Sequence, residues 1–264
     1  MTKVVTIFLV LVMFSTSACR LNDSSDEKTL VNVEDEFIIG MWENLNPSNR
    51  SFRFIIQTIS QQECTNVTIN FSKEKQGQSL SFSLNDVQYP ENCNQGQAPA
   101  HANIPFANLE PGTYKVSVYL KETIVNHGTL SVSSVGYQLQ MDSEIGLRVA
   151  DKQLLRIFDQ SVWGYISYTN PDHAIAAQSA RTEIITGNEA QTYQVGNYGY
   201  FSLVSNNGNT NTLIPTEPIN DLYESFLIQY DGDLNALKDK LAELRVTYAG
   251  QLEFTVTNYT GEPL

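Results

Sequence analysis

The chain has 264 residues, a formal net charge of −13, 41% hydrophobic and 17% charged residues. That apolar content is ordinary for a folded globule and excludes a disordered polyelectrolyte. The acidic balance excludes nucleic acid and anionic lipid surfaces as partners, because both would be repelled. Thr, Ser, Asn and Tyr are frequent and charge is sparse, a composition that favours strands.

The first elements are at the N-terminus. One cation, Lys3, precedes an apolar run from Val4 to Phe14. As a helix that run spans about 16 Å, too short for a hydrocarbon core of about 30 Å, and it has the length of a secretory h-region. Ser15-Thr16-Ser17-Ala18 and Cys19 follow. Residues 1–19 resemble the lipobox signal of bacterial lipoproteins. The resemblance implies cleavage of a signal peptide, 1–18, acylation of Cys19, and an exported body anchored to a membrane, the outer membrane in the first instance, on its periplasmic or surface face. Thr16 stands where the lipobox has an aliphatic residue. The alternative is therefore ordinary cleavage after Ala18, leaving a soluble protein with a free Cys19. There are three cysteines. With Cys19 assigned to lipid, Cys64 and Cys93 remain to form one disulfide in an oxidising compartment; otherwise both stay reduced or pair elsewhere. Residues 19–36, with the polar stretch Arg20 to Lys28, are expected to form a flexible tether. The acidic stretch resembles the export tag of Bacteroidota surface lipoproteins, although a periplasm-facing tether would also be polar.

From Phe37 to Met141 the pattern has period two. Phe52, Phe54 and Ile56, then Val67, Ile69 and Phe71, then Leu80, Phe82 and Leu84 alternate with mostly polar neighbours. These runs predict half-buried strands. Pro111-Gly112 sets a turn into Tyr114, Val116, Val118 and Leu120 on one face, and Asn126-His127-Gly128 is expected to turn the chain again. Leu109-Glu110-Pro111-Gly112-Thr113-Tyr114 resembles the stretch leading into the penultimate strand of immunoglobulin-like and transthyretin-like sandwiches. The expectation for 37–142 is an antiparallel β-sandwich with a junction near Asp142-Ser143-Glu144.

Residues 143–264 predict a β-rich α+β domain, or a sandwich with one covering helix. Leu154 to Tyr168 reads as a hairpin, Asn170-Pro171-Asp172 as a turn, Ala174 to Ala180 as a short helix, and Tyr193 to Val204 and Leu222 to Tyr230 as strands. One amphipathic helix is expected over 234–245: Asp233 is its N-cap, and Leu234, Leu237, Leu241 and Leu244 form its stripe. A strand with Leu252, Phe254 and Val256 on one face closes the chain.

Chemistry is sparse. His101, His127 and His173 are isolated, each in an expected turn, and no zinc spacing, nucleophile elbow or phosphate loop occurs. No catalytic residue, metal ligand or cofactor is assigned. Asp231-Gly232-Asp233 begins like a calcium loop, but alanines occupy the glycine and bidentate-glutamate positions, and helix capping explains it. The aromatic residues Trp163, Tyr165, Tyr198 and Tyr200 are candidates for binding a glycan or protein partner if exposed, with core packing as the alternative. Tyr198 and Tyr200 are expected to share one face of a strand. The functional expectation is a lipid-anchored extracytoplasmic protein with a non-catalytic binding or structural role. The alternatives are a pilin-like or accessory assembly subunit, and a hydrolase acting on glycans or peptides.

Overall fold

Alternation becomes strand wherever the apolar residues have a common layer to cover. In the computed structural model β1 (Phe37–Asn44) turns Phe37, Ile39, Met41 and Glu43 inward. The structure describes residues 34–46, 50–107, 109–190, 193–206, 210–219 and 221–264. The expected signal peptide, Cys19 and the tether up to Val33 lie outside the described residues.

The strands that follow are β2 (Ser51–Cys64), β3 (Thr68–Gln76), β4 (Ser79–Gln88), β5 (Gln95–Phe106), β6 (Gly112–Leu120), β7 (Ile124–Val132), β8 (Gly136–Met141), β9 (Leu147–Val149) and β10 (Gln153–Leu155). They form one ten-stranded sheet in the order β10-β8-β7-β6-β4-β3-β5-β2-β1-β9. The sheet curls into two facing layers. Phe52 of β2 packs on Tyr137 of β8, with ring centroids 4.8 Å apart, although five strands separate them in the sheet. Phe54 likewise meets Phe82 of β4 at 5.1 Å. Inward side chains from both layers fuse into a single apolar core. The layers are joined at β3 and β5 by one parallel pair, Thr68 with His101.

Most pairings are antiparallel, and the exceptions have a topological cause. Because β5 crosses to the other layer, the chain returns to lay β6 beside β4 in parallel. Beyond the Asp142–Glu144 turn the chain stays with this sheet. There β9 adds to β1 in parallel and β10 to β8. The expected turn at Asn126-His127-Gly128 is corrected: these residues lie within β7. The chain reverses instead at Lys121 and Glu122, both with positive φ. Gly128 serves packing, since a Cβ there would lie 2.5 Å from the Gln140 carbonyl oxygen. Asn126 is buried because its amide donates to the Ile145 carbonyl (2.9 Å) and accepts from its N–H (2.8 Å).

The rest of the chain contains β11 (Ser161–Tyr168), a 3₁₀ turn (Pro171–His173), α1 (Ala174–Ile185), β12 (Glu189–Ala190), β13 (Gly196–Asn197), β14 (Phe201–Asn206), β15 (Thr210–Pro215), β16 (Leu222–Gln229), α2 (Leu234–Thr247) and β17 (Glu253–Asn258). A four-stranded sheet has the order β12-β16-β11-β17, and β13-β14-β15 form a third. Strand β11 is nearly all buried because both its faces are covered. Val162 and Ile166 face α1 and α2, whereas Trp163 and Tyr165 face the three-stranded sheet. That is why Val162 to Ile166 reads as an apolar run without alternation.

The expected 154–168 hairpin is corrected too: β10 and β11 belong to different sheets. Helix α2 follows expectation. Asp233 accepts from the Asn235 N–H at 2.9 Å, and Leu237, Leu241 and Leu244 are buried. Helix α1 runs five residues beyond the expected end, burying Ala177, Ala180 and Ile184. Its small side chains let it lie close on β16, where the Arg181 guanidinium donates to the Ser225 carbonyl at 2.8 Å. The fold is mainly β, a curled sandwich followed by β-rich α+β structure.

Candidate functional site

The four aromatics singled out from the sequence do come together, in the core between β11 and the three-stranded sheet. Trp163, Tyr165 and Tyr198 are buried and Tyr200 is half-buried. Tyr198 and Tyr200 do not share a strand face. They flank Gly199, whose φ of 82° makes the bend between β13 and β14. Tyr198 therefore stacks on Phe201 (5.0 Å, 22°), while Tyr200 turns to Trp42 (4.5 Å) and Trp163 (5.9 Å). The Tyr200 hydroxyl accepts from the Leu45 N–H at 3.3 Å, tying β1 to this cluster. Tyr198 donates to the Gln194 carbonyl at 2.8 Å. The Tyr165 hydroxyl is buried and has no hydrogen-bond partner among the described residues. Burial pushes the Tyr165 and Tyr198 phenols well above the usual phenol range, with a neighbouring tyrosine adding to each shift.

A charged cluster closes the sandwich beside these rings. Glu43 occupies an inward position of β1 in phase with Phe37, Ile39 and Met41, and it is 3% exposed. Its carboxylate accepts from the Tyr137 hydroxyl (2.8 Å) and lies 3.1 Å from Arg156 Nε and 3.9 Å from Arg50. The Arg156 Nε–H does not aim at the oxygen, so that contact is ionic rather than a hydrogen bond. Another Arg156 nitrogen donates to the Tyr137 hydroxyl at 2.6 Å, and the guanidinium lies over the Tyr137 ring at 4.7 Å. Burial, then the Glu43 charge, holds the Tyr137 phenol far above its ordinary range. Arg50 also donates to the carbonyls of Ile157 (2.7 Å) and Tyr259 (3.3 Å) and to Asp159 (3.1 Å). Every oxygen of Glu43 thus faces a cation or a hydroxyl, which suits a structural counter-ion. The sequence signal for it was a charge at a core-phase position of an apolar strand.

The histidines do not converge. His173 lies in the 3₁₀ turn with its ring nitrogen 3.2 Å from the Gln251 carbonyl. His101 and His127 sit within strands rather than in the expected turns, because their neighbours pair across the sheet. His127 contacts Ser117 Oγ at 3.2 Å on the exposed outer face. Among the described residues no group of His, Cys, Asp and Glu could hold a metal ion, and no helix is long and apolar enough to cross a membrane. Cys64 and Cys93 are joined in a disulfide, with Cα atoms 5.4 Å apart, pinning the end of β2 to the β4–β5 loop.

A concave feature lies on the sandwich. Past Thr68 and His101 the edges of β3 and β5 diverge and leave an open-sided cavity of about 350 Å³. Ile69 and Ala102 form a buried floor with the half-buried Phe71, and Thr68, Asn70, Gln88, His101 and Asn103 form an exposed rim. Strand periodicity alone did not single these residues out, since each rim residue reads as an ordinary solvated position. Only the parting of two strands makes a site of them. No family model, curated protein or solved structure matches the chain.

Proposed function

We propose that this protein is an exported, lipid-anchored lipoprotein whose folded body serves a non-catalytic binding or structural role. Its body would be held at the outer membrane through acyl chains on Cys19. The observation that carries the reading is the Cys64–Cys93 bond. It matches an oxidising compartment and, with three cysteines in all, leaves Cys19 as the one thiol free for a lipid. The apolar run ahead of Cys19 supplies the export signal. A binding or structural role is supported by what the buried polar groups do. Glu43, the buried carboxylate of the sandwich, is occupied by Tyr137 and two arginines, and the tyrosines of the aromatic cluster fill core space.

Mass spectrometry of the membrane-extracted protein tests the proposal. The expected product begins at Cys19 and carries two or three acyl chains, with the masses of Cys64 and Cys93 peptides linked before reduction. An intact leader on a cytosolic polypeptide would overturn it, as would a mature chain with an unmodified Cys19.

A further inference from the structure

We infer that the groove between β3 and β5 is a binding site for a neutral saccharide. This inference rests on the binding role proposed above and names its site and ligand class. At about 350 Å³ the groove falls at the small end of ligand-site volumes, the size for one or two sugar rings. The chain carries a net charge of −13, yet the eight lining residues include no carboxylate, ammonium or guanidinium. Instead three amides (Asn70, Gln88 and Asn103), a threonine hydroxyl and an imidazole surround a floor of Ile69, Ala102 and Phe71. Amides offer a donor and an acceptor side by side, the pairing that adjacent sugar hydroxyls require. An apolar floor accepts the C–H face of the ring. An ionic ligand would find no counter-charge among the lining residues, since the Lys73 ammonium at the closed end is held by the Pro105 carbonyl, and a wholly apolar one would strip water from the rim without compensation.

The parted strand edges raise the rival of an added peptide strand, and the geometry disfavours it. At one end the His101 N–H donates to the Val67 carbonyl at 3.2 Å. At the other, the Lys73 ammonium donates to the Pro105 carbonyl and lies 5.6 Å from the Phe106 ring centroid. The span between these closures is five residues of β3, about 16 Å. The His101 bond shows that the odd-numbered residues of β5 direct their backbone toward β3. Within the span, Pro105 has no N–H and His101 has already used its own. On the β5 edge Asn103 alone would therefore offer a strand an N–H there, which is how edges are guarded against pairing. A compact ligand bound through side chains fits better.

The test is a ¹H–¹⁵N NMR titration of the mature protein, in a detergent without a sugar head group, with maltotriose, cellotriose and triacetylchitotriose. At least one should give saturable shifts centred on residues 68–71, 88 and 101–103. The paired variant Gln88→Ala/Asn103→Ala should weaken that binding at least tenfold. Both side chains are exposed, so its urea midpoint should match the parent's, and Ser117→Ala on the outer face of β6 should bind as the parent does. No perturbation of the lining by any of the three sugars overturns the inference. So does binding that the paired variant leaves unchanged, or lining shifts given only by an extended Thr/Val decapeptide. The acyl state of Cys19 does not enter this readout, so a negative result here leaves the lipoprotein reading to its own mass measurement.

Discussion

Replacing Glu43 by alanine removes the carboxylate that faces Tyr137, Arg156 and Arg50. The side chain of Glu43 is 4% exposed, while those of Arg156 and Arg50 are 21% and 26% exposed. Truncating one member of a buried ion pair costs about 3–5 kcal/mol, most of it from stranding the opposite charge. Both guanidinium groups retain a path to water, which places the expected loss near the lower end, about 3 kcal/mol. With a urea m-value of about 3 kcal/mol/M for a chain of this size, the midpoint should fall by about 1 M. Tryptophan fluorescence is a suitable probe, since Trp163 is buried and Trp42 packs on Tyr200 nearby. The double variant Glu43→Met/Arg156→Met should recover most of the loss, because the one cation left in the cluster, Arg50, keeps Asp159 as its partner. A Glu43→Ala variant within 1 kcal/mol of the parent would refute the reasoning. A double variant as unstable as the sum of its two single changes would do the same.

Three further outcomes follow from other parts of the fold. Cys64→Ala/Cys93→Ala opens a cross-link spanning 29 residues and should cost about 3–4 kcal/mol in the chain-entropy model, read as a lower urea midpoint that dithiothreitol no longer shifts. Gly128→Ala places a Cβ 2.5 Å from the Gln140 carbonyl in the middle of β7 and should destabilise by about 1–3 kcal/mol, whereas alanine would have been harmless in an exposed turn. Tyr137, Tyr165, Tyr193 and Tyr198 have phenols raised chiefly by burial. The unfolded chain therefore loses protons above a pH of about 10 while the native one keeps them, so the contribution of these four groups to stability should be level just below that pH and fall above it. Phenolate absorbance at 295 nm should leave these four rings silent until the far-ultraviolet signal collapses; their free titration in the folded protein would contradict their placement.

Much of the architecture was legible because period-two alternation reports which layer a side chain faces. The strand runs at 52–56, 67–71, 80–84 and 114–120, and the capped helix at 234, were local signals, and local chemistry decided them. The disulfide followed from cysteine arithmetic. Other features depended on partners distant in sequence. Asn126-His127-Gly128 has the composition of a turn, yet Asn126 satisfies Ile145 and Gly128 makes room for Gln140, so the stretch is strand. Trp163, Tyr165, Tyr198 and Tyr200 have the same composition whether exposed or buried; the three-stranded sheet that covers them put them inside. The amide-rimmed groove exists because β5 crosses between layers and meets β3 at a single pair. Periodicity along one strand determined inside and outside for each segment, but which edges meet and which part is a property of the closed sheet, and that only the tertiary structure decided.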